Sequence, residues 1–145
     1  MSAALAEIQL GAELVSAPYL LDAAAAKLYH DGIERPPRRR PPRGIHDDKD
    51  AARKAGFVAP IAGGEQTIAI IAQFLADNFG MRFVRGGRIE ISLTRPVLFG
   101  DTLTSHAKII SVDTDANRAE LQIHVANHRG EEVLTGTAAV RMNDA

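Results

Sequence analysis

The residues best suited to chemistry lie between Pro41 and Thr67, in the stretch PPRGIHDDKDAARKAGFVAPIAGGEQT. His46 is the first candidate, because an imidazole can accept or donate a proton near neutral pH. Gly63 and Gly64 precede a long apolar segment, and free N–H groups at the start of a buried helix can bind a developing oxyanion. Together they would suit acid/base chemistry on an activated carbonyl compound. The two glycines are equally well explained by a tight turn.

Acidic side chains flank both positions. We interpret Asp47 and Asp48 as the N-cap and first-turn charges of a short helix, although one of them could orient the imidazole of His46. Glu65 could be a displaced catalytic acid, but a glutamate in the first turn of a helix is also simply favourable.

The other charged candidates are less specific. Four arginines form the only basic cluster, and a phosphate-rich ligand such as coenzyme A would suit them, as would solvent or an acidic partner surface. These arginines are Arg38, Arg39, Arg40 and Arg43. His106, His124 and His128 lack the spacing of metal ligands, so we predict neither a metal site nor a cofactor.

The elements that must position these residues begin with one helix. From Gly64 to Gly80 the apolar residues cover most of the helical circumference, which predicts a buried helix. Five polar residues interrupt this apolar surface, namely Glu65, Gln66, Gln73, Asp77 and Asn78. Upstream we expect an extended arm or strand over 7–20 and a short helix from Asp22 to His30, with Gly32 as its stop. A polyproline-like loop over 34–44 and a second short helix from Asp47 or Asp48 to Gly56 follow.

Beyond residue 82 the hydrophobic pattern has period two. It predicts four strands, over 88–94, 102–112, 119–127 and 133–142, that form an antiparallel meander with one wet face. The apolar face of this sheet must be buried against another element, and the helix must be buried on nearly every side. Wrapping the sheet around the helix meets both needs, so we predict an α+β hotdog fold in one domain over 1–145. One sheet edge stays open, so a second copy is expected beside it, as a homodimer or higher oligomer.

Composition limits the functional classes. The chain has 145 residues, a formal net charge of −1 and no cysteine. Because the net charge is close to zero, no overall electrostatic field favours binding to nucleic acid or to an acidic membrane. Because there is no cysteine, disulfides and thiolate chemistry are excluded. The N-terminal segment is a poor secretion signal and no apolar run is long enough to span a bilayer, so a cytoplasmic protein is expected.

The stretch around His46 resembles the MaoC-like hotdog family of (R)-specific enoyl-CoA hydratases and 3-hydroxyacyl-thioester dehydratases. That family carries Asp-x-Asn-Pro-x-His, an acidic residue two positions on, a short helix ending in Gly-Phe, and Pro-Ile-Ala-His-Gly. This chain supplies, in order, His46, Asp48, Gly56-Phe57, Pro60-Ile61-Ala62 and Gly64. The later stretch RPVLFGDTL over 95–103 is similar to the strand and turn that follow the family's helix.

The resemblance implies roles for these residues. It makes His46 the acid/base and the N–H of Gly64 the donor to a thioester carbonyl. Counted without a gap, the family's catalytic Asp falls on Pro41, its Asn on Arg43 and the His of its Ala-His-Gly turn on Gly63.

An insertion over the proline-arginine segment would instead place Asp31 as the acid that folds back to His46, since closing a longer loop costs little entropy. Tyr29, beside it, is then either a surface residue or a pocket wall. Gly63, Gly64, Tyr29 and Arg43 complete the expected substrate site.

Three functions remain open from the sequence. The first is a hydro-lyase acting on an unsaturated or 3-hydroxy acyl thioester, expected to be an acyl-CoA, through His46 and Asp31. The second is a hotdog dehydratase or isomerase retooled for a non-thioester small molecule. The third is a non-catalytic hotdog subunit that supports an active partner. All three exclude nucleic-acid and membrane partners.

Overall fold

The structure, a computed structural model, describes residues 5–33 and 44–144. Within them the helices are α1 (Ala23–Ile33), α2 (Lys49–Lys54), α3 (Gly64–Phe79) and α4 (Met81–Val84), and a 3-10 turn spans Gly44–His46. The strands are β1 (Glu13–Val15), β2 (Tyr19–Leu21), β3 (Arg88–Leu93), β4 (Asp101–Asp113), β5 (Arg118–Asn127) and β6 (Glu132–Arg141). None of these helices has the length and hydropathy needed to cross a bilayer.

The strands form one antiparallel sheet in the order β1-β4-β5-β6-β3, with β2 paired to β4 beside β1. β4, β5 and β6 form the predicted meander. The meander prediction is wrong for β3, which pairs with β6 instead of β4. The connection from β3 to β4 must cross three strand spacings, which amount to roughly 14 Å. Residues 94–100 can extend to roughly 23 Å, so this connection is long enough. The hydrophobic period could not reveal this crossover, since it specifies faces and not neighbours.

The central helix α3 lies against the inner face of this sheet. Ile71, Leu75 and Phe79 are fully buried and join one apolar cluster with the inward side chains of the strands. The strand members of the cluster with at most 1% exposure are Leu21, Leu103, Ile109, Ala119, Leu121, Ile123, Val125, Val133, Leu134 and Val140. The predicted arrangement of a sheet wrapped around a long helix is therefore confirmed.

Two residues of α3 depart from the predicted pattern. Gln66 was expected among the polar residues that interrupt the apolar surface, but it is only 2% exposed. Ile68, by contrast, is 37% exposed. A separation of two positions corresponds to a rotation of about 200° around a helix, so these two side chains face nearly opposite directions. Gln66 faces the side lined by β2 and β4, and Ile68 faces a side that the described residues leave partly exposed.

The shorter helices follow their local signals. Asp48 is the N-cap of α2 and its carboxylate accepts the N–H groups of Asp50 and Ala51 at 2.8 and 3.1 Å. Gly56, with φ of 90°, follows the end of α2, as predicted. The helix α1 continues to Ile33 through Gly32, so the predicted stop at this glycine is wrong. The predicted proline-arginine loop lies outside the described residues except for Gly44.

Candidate active site

His46 closes the 3-10 turn, and its ring is held by the backbone. The Nδ1 atom lies 2.9 Å from the carbonyl oxygen of Ile61. A carbonyl oxygen can only accept a hydrogen bond, so Nδ1 must carry the proton. In the neutral ring Nε2 is then unprotonated and is the nitrogen available to accept a proton. The geometry selects the tautomer that a general base requires.

The segment that holds His46 is itself fixed on both sides. The N–H of Ile61 donates to the carbonyl of Ile45 at 3.0 Å, so residues 45 and 46 bind Ile61 twice. The N–H of Ala62 donates to the carbonyl of Val97 at 2.8 Å, and that of Phe99 donates to Pro60 at 2.8 Å. The crossover between β3 and β4 therefore anchors the turn that orients the imidazole.

The start of α3 follows three residues after Ile61. Gly63 is the N-cap, without a side chain to cap the helix, and its carbonyl accepts the N–H of Gln66 at 3.0 Å. The N–H of Gly64 has no hydrogen bond to any described residue. The Cα atoms of Ile61 and Gly64 can be at most about 11 Å apart. His46 therefore contacts a residue that lies two positions before Gly63 and three before Gly64.

Glu65 occupies the space beside Gly63. A methyl group at Gly63 would lie 2.7 Å from each carboxylate oxygen of Glu65. The carboxylate therefore fills the volume that a side chain at position 63 would need. A negative charge is electrostatically favourable at this end of α3.

The other predicted residues are placed differently. Asp31 forms an i,i+4 ion pair with Lys27 on the exposed side of α1, and no described carboxylate contacts His46. Tyr29 lines a cleft against α3. Arg43 lies outside the described residues.

That cleft has a volume of about 430 Å³ and runs along α3. Its far wall is formed by residues 16–18 between β1 and β2, by Tyr19 of β2 and by Ser105 of β4. The face of α3 that it exposes begins at Gln66, in the first turn of the helix, and continues past Phe74. The size lies within the range of small-molecule sites.

Comparison with a family model assigns the chain to a protein family. The MaoC-like domain model matches residues 43–130, more than half of the sequence. The chain belongs to the MaoC-like domain family. This membership supports a dehydratase or hydratase, as predicted. The matched range contains His46, Gly63 and Gly64 and begins after Tyr29 and Asp31.

Solved structures agree with the fold of this MaoC-like chain. An (R)-hydratase from A. caviae involved in PHA biosynthesis is 19% identical, with a TM-score of 0.73 and coverage of 94% of this chain and 98% of that one. A MaoC-like dehydratase from Rhodospirillum rubrum is 26% identical, with a TM-score of 0.66 and 94% coverage of both chains. The ChsH1-ChsH2 complex from Mycobacterium tuberculosis gives 17% identity, a TM-score of 0.72 and coverage of 93% and 98%. No curated protein sequence gives a significant match.

Sequence reasoning did not identify Gln66 and Ser105 as parts of the cleft. One signal for Gln66 was present, because a glutamine directly follows the start of an otherwise apolar helix. This glutamine was instead counted among the polar residues that interrupt the apolar surface of the helix. Ser105 shares the period-two phase of Leu103 and Ala107, so the alternation did place it on the inward face, but nothing in it indicated that this face borders a cleft.

Proposed function

We propose that this MaoC-like protein is a hydro-lyase that adds water to an enoyl thioester, or removes it from a 3-hydroxyacyl thioester, with coenzyme A as the carrier. The observation that carries the proposal is the hydrogen bond from His46 Nδ1 to the Ile61 carbonyl, which leaves Nε2 as the proton acceptor and ties the ring to the segment that leads into α3. Family membership supports the reaction class.

In the hydration direction, Nε2 of His46 accepts a proton from water while the water oxygen bonds to C3 of the substrate. The electron pair of the C2–C3 double bond moves toward the thioester carbonyl and gives an enolate. The N–H of Gly64 stabilises the negative oxygen, aided by the dipole of α3. The imidazolium then returns the proton to C2, so one molecule of water is added in total. Dehydration follows the same steps in reverse.

A carboxylate that assists His46 is the second part of the proposal. Asp31 is the candidate from the sequence, although within the described residues it pairs with Lys27. Glu65 is the candidate from the geometry, since its carboxylate lies over Gly63 at the start of α3. Asp31→Asn and Glu65→Gln distinguish them, because only the variant that removes the working carboxylate should lower kcat strongly.

The direct test of function is hydration of trans-2-enoyl-CoA substrates by the wild type and by His46→Gln. General acid/base catalysis contributes roughly 10²–10⁴-fold, so a loss of at least 10² in kcat is expected without a change in thermal unfolding. His128→Gln is the matched control, because it removes an exposed imidazole from the β5–β6 turn. Equal activity of the His46 variant and the wild type would reject the proposed mechanism.

A supporting subunit is the second candidate function. It is favoured by the pairing of Asp31 with Lys27 and by the lack of any described carboxylate at His46. The wild type would then be inactive alone, and activity would appear on mixing with a second hotdog chain that carries an intact Asp-x-Asn-Pro-x-His. Activity of the purified homo-oligomer would exclude this candidate.

For assembly we propose a cytoplasmic homodimer joined beside β3. This strand forms an edge of the sheet, and Leu93 at its end lies against Gly64. Leu93 and Ile68, one turn further along α3, expose 48% and 37% of their surfaces. Light scattering should give a dimer for the wild type and a monomer for Ile68→Glu. A wild-type monomer would contradict this assembly.

A further inference from the structure

Two polar side chains are buried without partners in the walls of the cleft along α3. Gln66 and Ser105 are 2% and 1% exposed. The Oε1 and Nε2 atoms of Gln66 and the Oγ of Ser105 each expose less than 1 Å² and have no hydrogen-bond partner. Within residues 5–33 and 44–144 these are the only buried side-chain polar atoms in that condition, and both residues line the same cleft.

This state is costly for the ligand-free protein. An unsatisfied buried donor or acceptor costs roughly 1–3 kcal/mol, and native structures satisfy nearly all such groups. Bulk water does not relieve the cost here, because it does not reach these atoms. A leucine at position 66 and an alanine at position 105 would avoid it. Unpaired polar groups of this kind require a hydrogen-bond partner that the described residues do not supply.

The polar groups nearer the mouth of the cleft are satisfied. The amide of Gln73 donates to Asp77 at 2.6 Å, and the hydroxyl of Ser16 donates to the carbonyl of Ala17 at 2.8 Å. The Ser16 hydroxyl also accepts the N–H of Ser105 at 2.9 Å, which leaves only the Oγ of that residue unpaired. The deficit is therefore confined to the two deepest polar side chains.

We propose that Gln66 and Ser105 form a subsite for an uncharged hydroxyl or carbonyl group on the acyl chain of the substrate, a proposal that rests on the proposed function. A primary amide supplies a donor and an acceptor, and a serine hydroxyl supplies both as well, so either ligand group can be paired. Gln66 has rotatable side-chain torsions that can turn its amide toward the cleft that it lines.

The rest of the cleft defines the remainder of the ligand. Ala69, Ile70 and Phe74 make the helical wall mainly apolar, which suits a hydrocarbon chain. No lysine or arginine lines the described walls, and Asp77 stands at the far end, so a second carboxylate on the chain would be disfavoured. The substrate class is a hydroxyacyl or oxoacyl thioester whose extra polar group lies beyond the reacting carbons.

The test compares trans-2-hexenoyl-CoA with 6-hydroxy-trans-2-hexenoyl-CoA in wild type, Gln66→Leu and the control Gln73→Leu, which changes a glutamine of the same cleft that already has a partner. We expect the wild type to favour the hydroxylated substrate by about 10-fold or more in kcat/KM, as one well-made hydrogen bond allows. Gln66→Leu should abolish the preference and raise the Tm, because an unpaired amide is removed. Gln73→Leu should keep the preference. Ser105→Ala is the second variant and should reduce it.

The two proposals can fail separately. Turnover of both substrates with no preference in the wild type, or a preference unchanged in Gln66→Leu, would overturn the subsite and leave the hydro-lyase intact. A lower Tm for Gln66→Leu would also overturn it, since the amide would then have a partner within the protein. Turnover of neither substrate would reject the hydro-lyase. The subsite is then judged by thermal shift with 6-hydroxyhexanoate against hexanoate, where stabilisation by the hydroxy acid alone supports it and an equal response overturns it.

Discussion

Gly136 and Gly32 should respond with opposite signs to the same added methyl group. At Gly136, in β6, the Cβ would lie 2.1 Å from the carbonyl oxygen of Glu90 and 2.8 Å from the Cα of Ile91. Both atoms belong to the backbone of β3, so no side chain can rotate away, and the β3–β6 pairing must open by about 1 Å. At Gly32, in α1, a Cβ would meet no atom of a described residue within 4 Å.

The magnitudes follow from these environments. Overpacking costs typically 1–3 kcal/mol, and a backbone clash lies at the upper end, so Gly136→Ala should lose about 3 kcal/mol of unfolding free energy. Gly32→Ala should gain about 0.5–1 kcal/mol, because alanine is the better helix former. Urea denaturation of both variants, with unchanged m-values, measures the difference. A loss below about 0.5 kcal/mol for Gly136→Ala would show that the sheet is not packed as described.

Further predictions concern stability. Asp48→Ala should cost about 0.5–2 kcal/mol in urea denaturation through loss of the α2 cap, and an unchanged midpoint would contradict the cap. Burial, and then the adjacent His124, lower the pKa of His106, so the unfolded state binds more protons below about pH 6.5 and stability should fall as the pH drops. His106→Gln should flatten that pH dependence, and a parallel profile would refute it. Asp101→Ala should lower the Tm by several degrees because it strips the Leu98 N–H of its buried acceptor at 3.0 Å, whereas Asp101→Asn should lower it less.

The fold was largely predictable because its elements carry strong local signals. The period-two segments became β3 to β6, and the apolar segment from Gly64 became α3. The pairing of β3 with β6 was not predictable from periodicity, which assigns a face to each residue but no neighbour to a strand. The short strands β1 and β2 were expected only as one extended arm or strand over 7–20, because a three-residue strand is too short to show a hydrophobic period.

The site was predictable in part. A motif resemblance selected His46 and Gly64 as candidates, since both belong to local sequence motifs. The contact from His46 to Ile61 joins residues 15 positions apart, and the burial of Gln66 depends on β4, almost 40 positions away. Such contacts follow from tertiary packing, which spacing does not specify. The position of Glu65 over Gly63 likewise required coordinates.

The most direct test of the central claim is the ¹⁵N NMR spectrum of the His46 ring, recorded in its neutral form with and without butyryl-CoA, a saturated thioester that cannot be hydrated. We predict a protonated Nδ1, an unprotonated Nε2, and a shift of the Nε2 signal when the thioester binds. A ring protonated on Nε2, or one that does not respond to saturating thioester, would contradict the assignment of His46 as the acid/base.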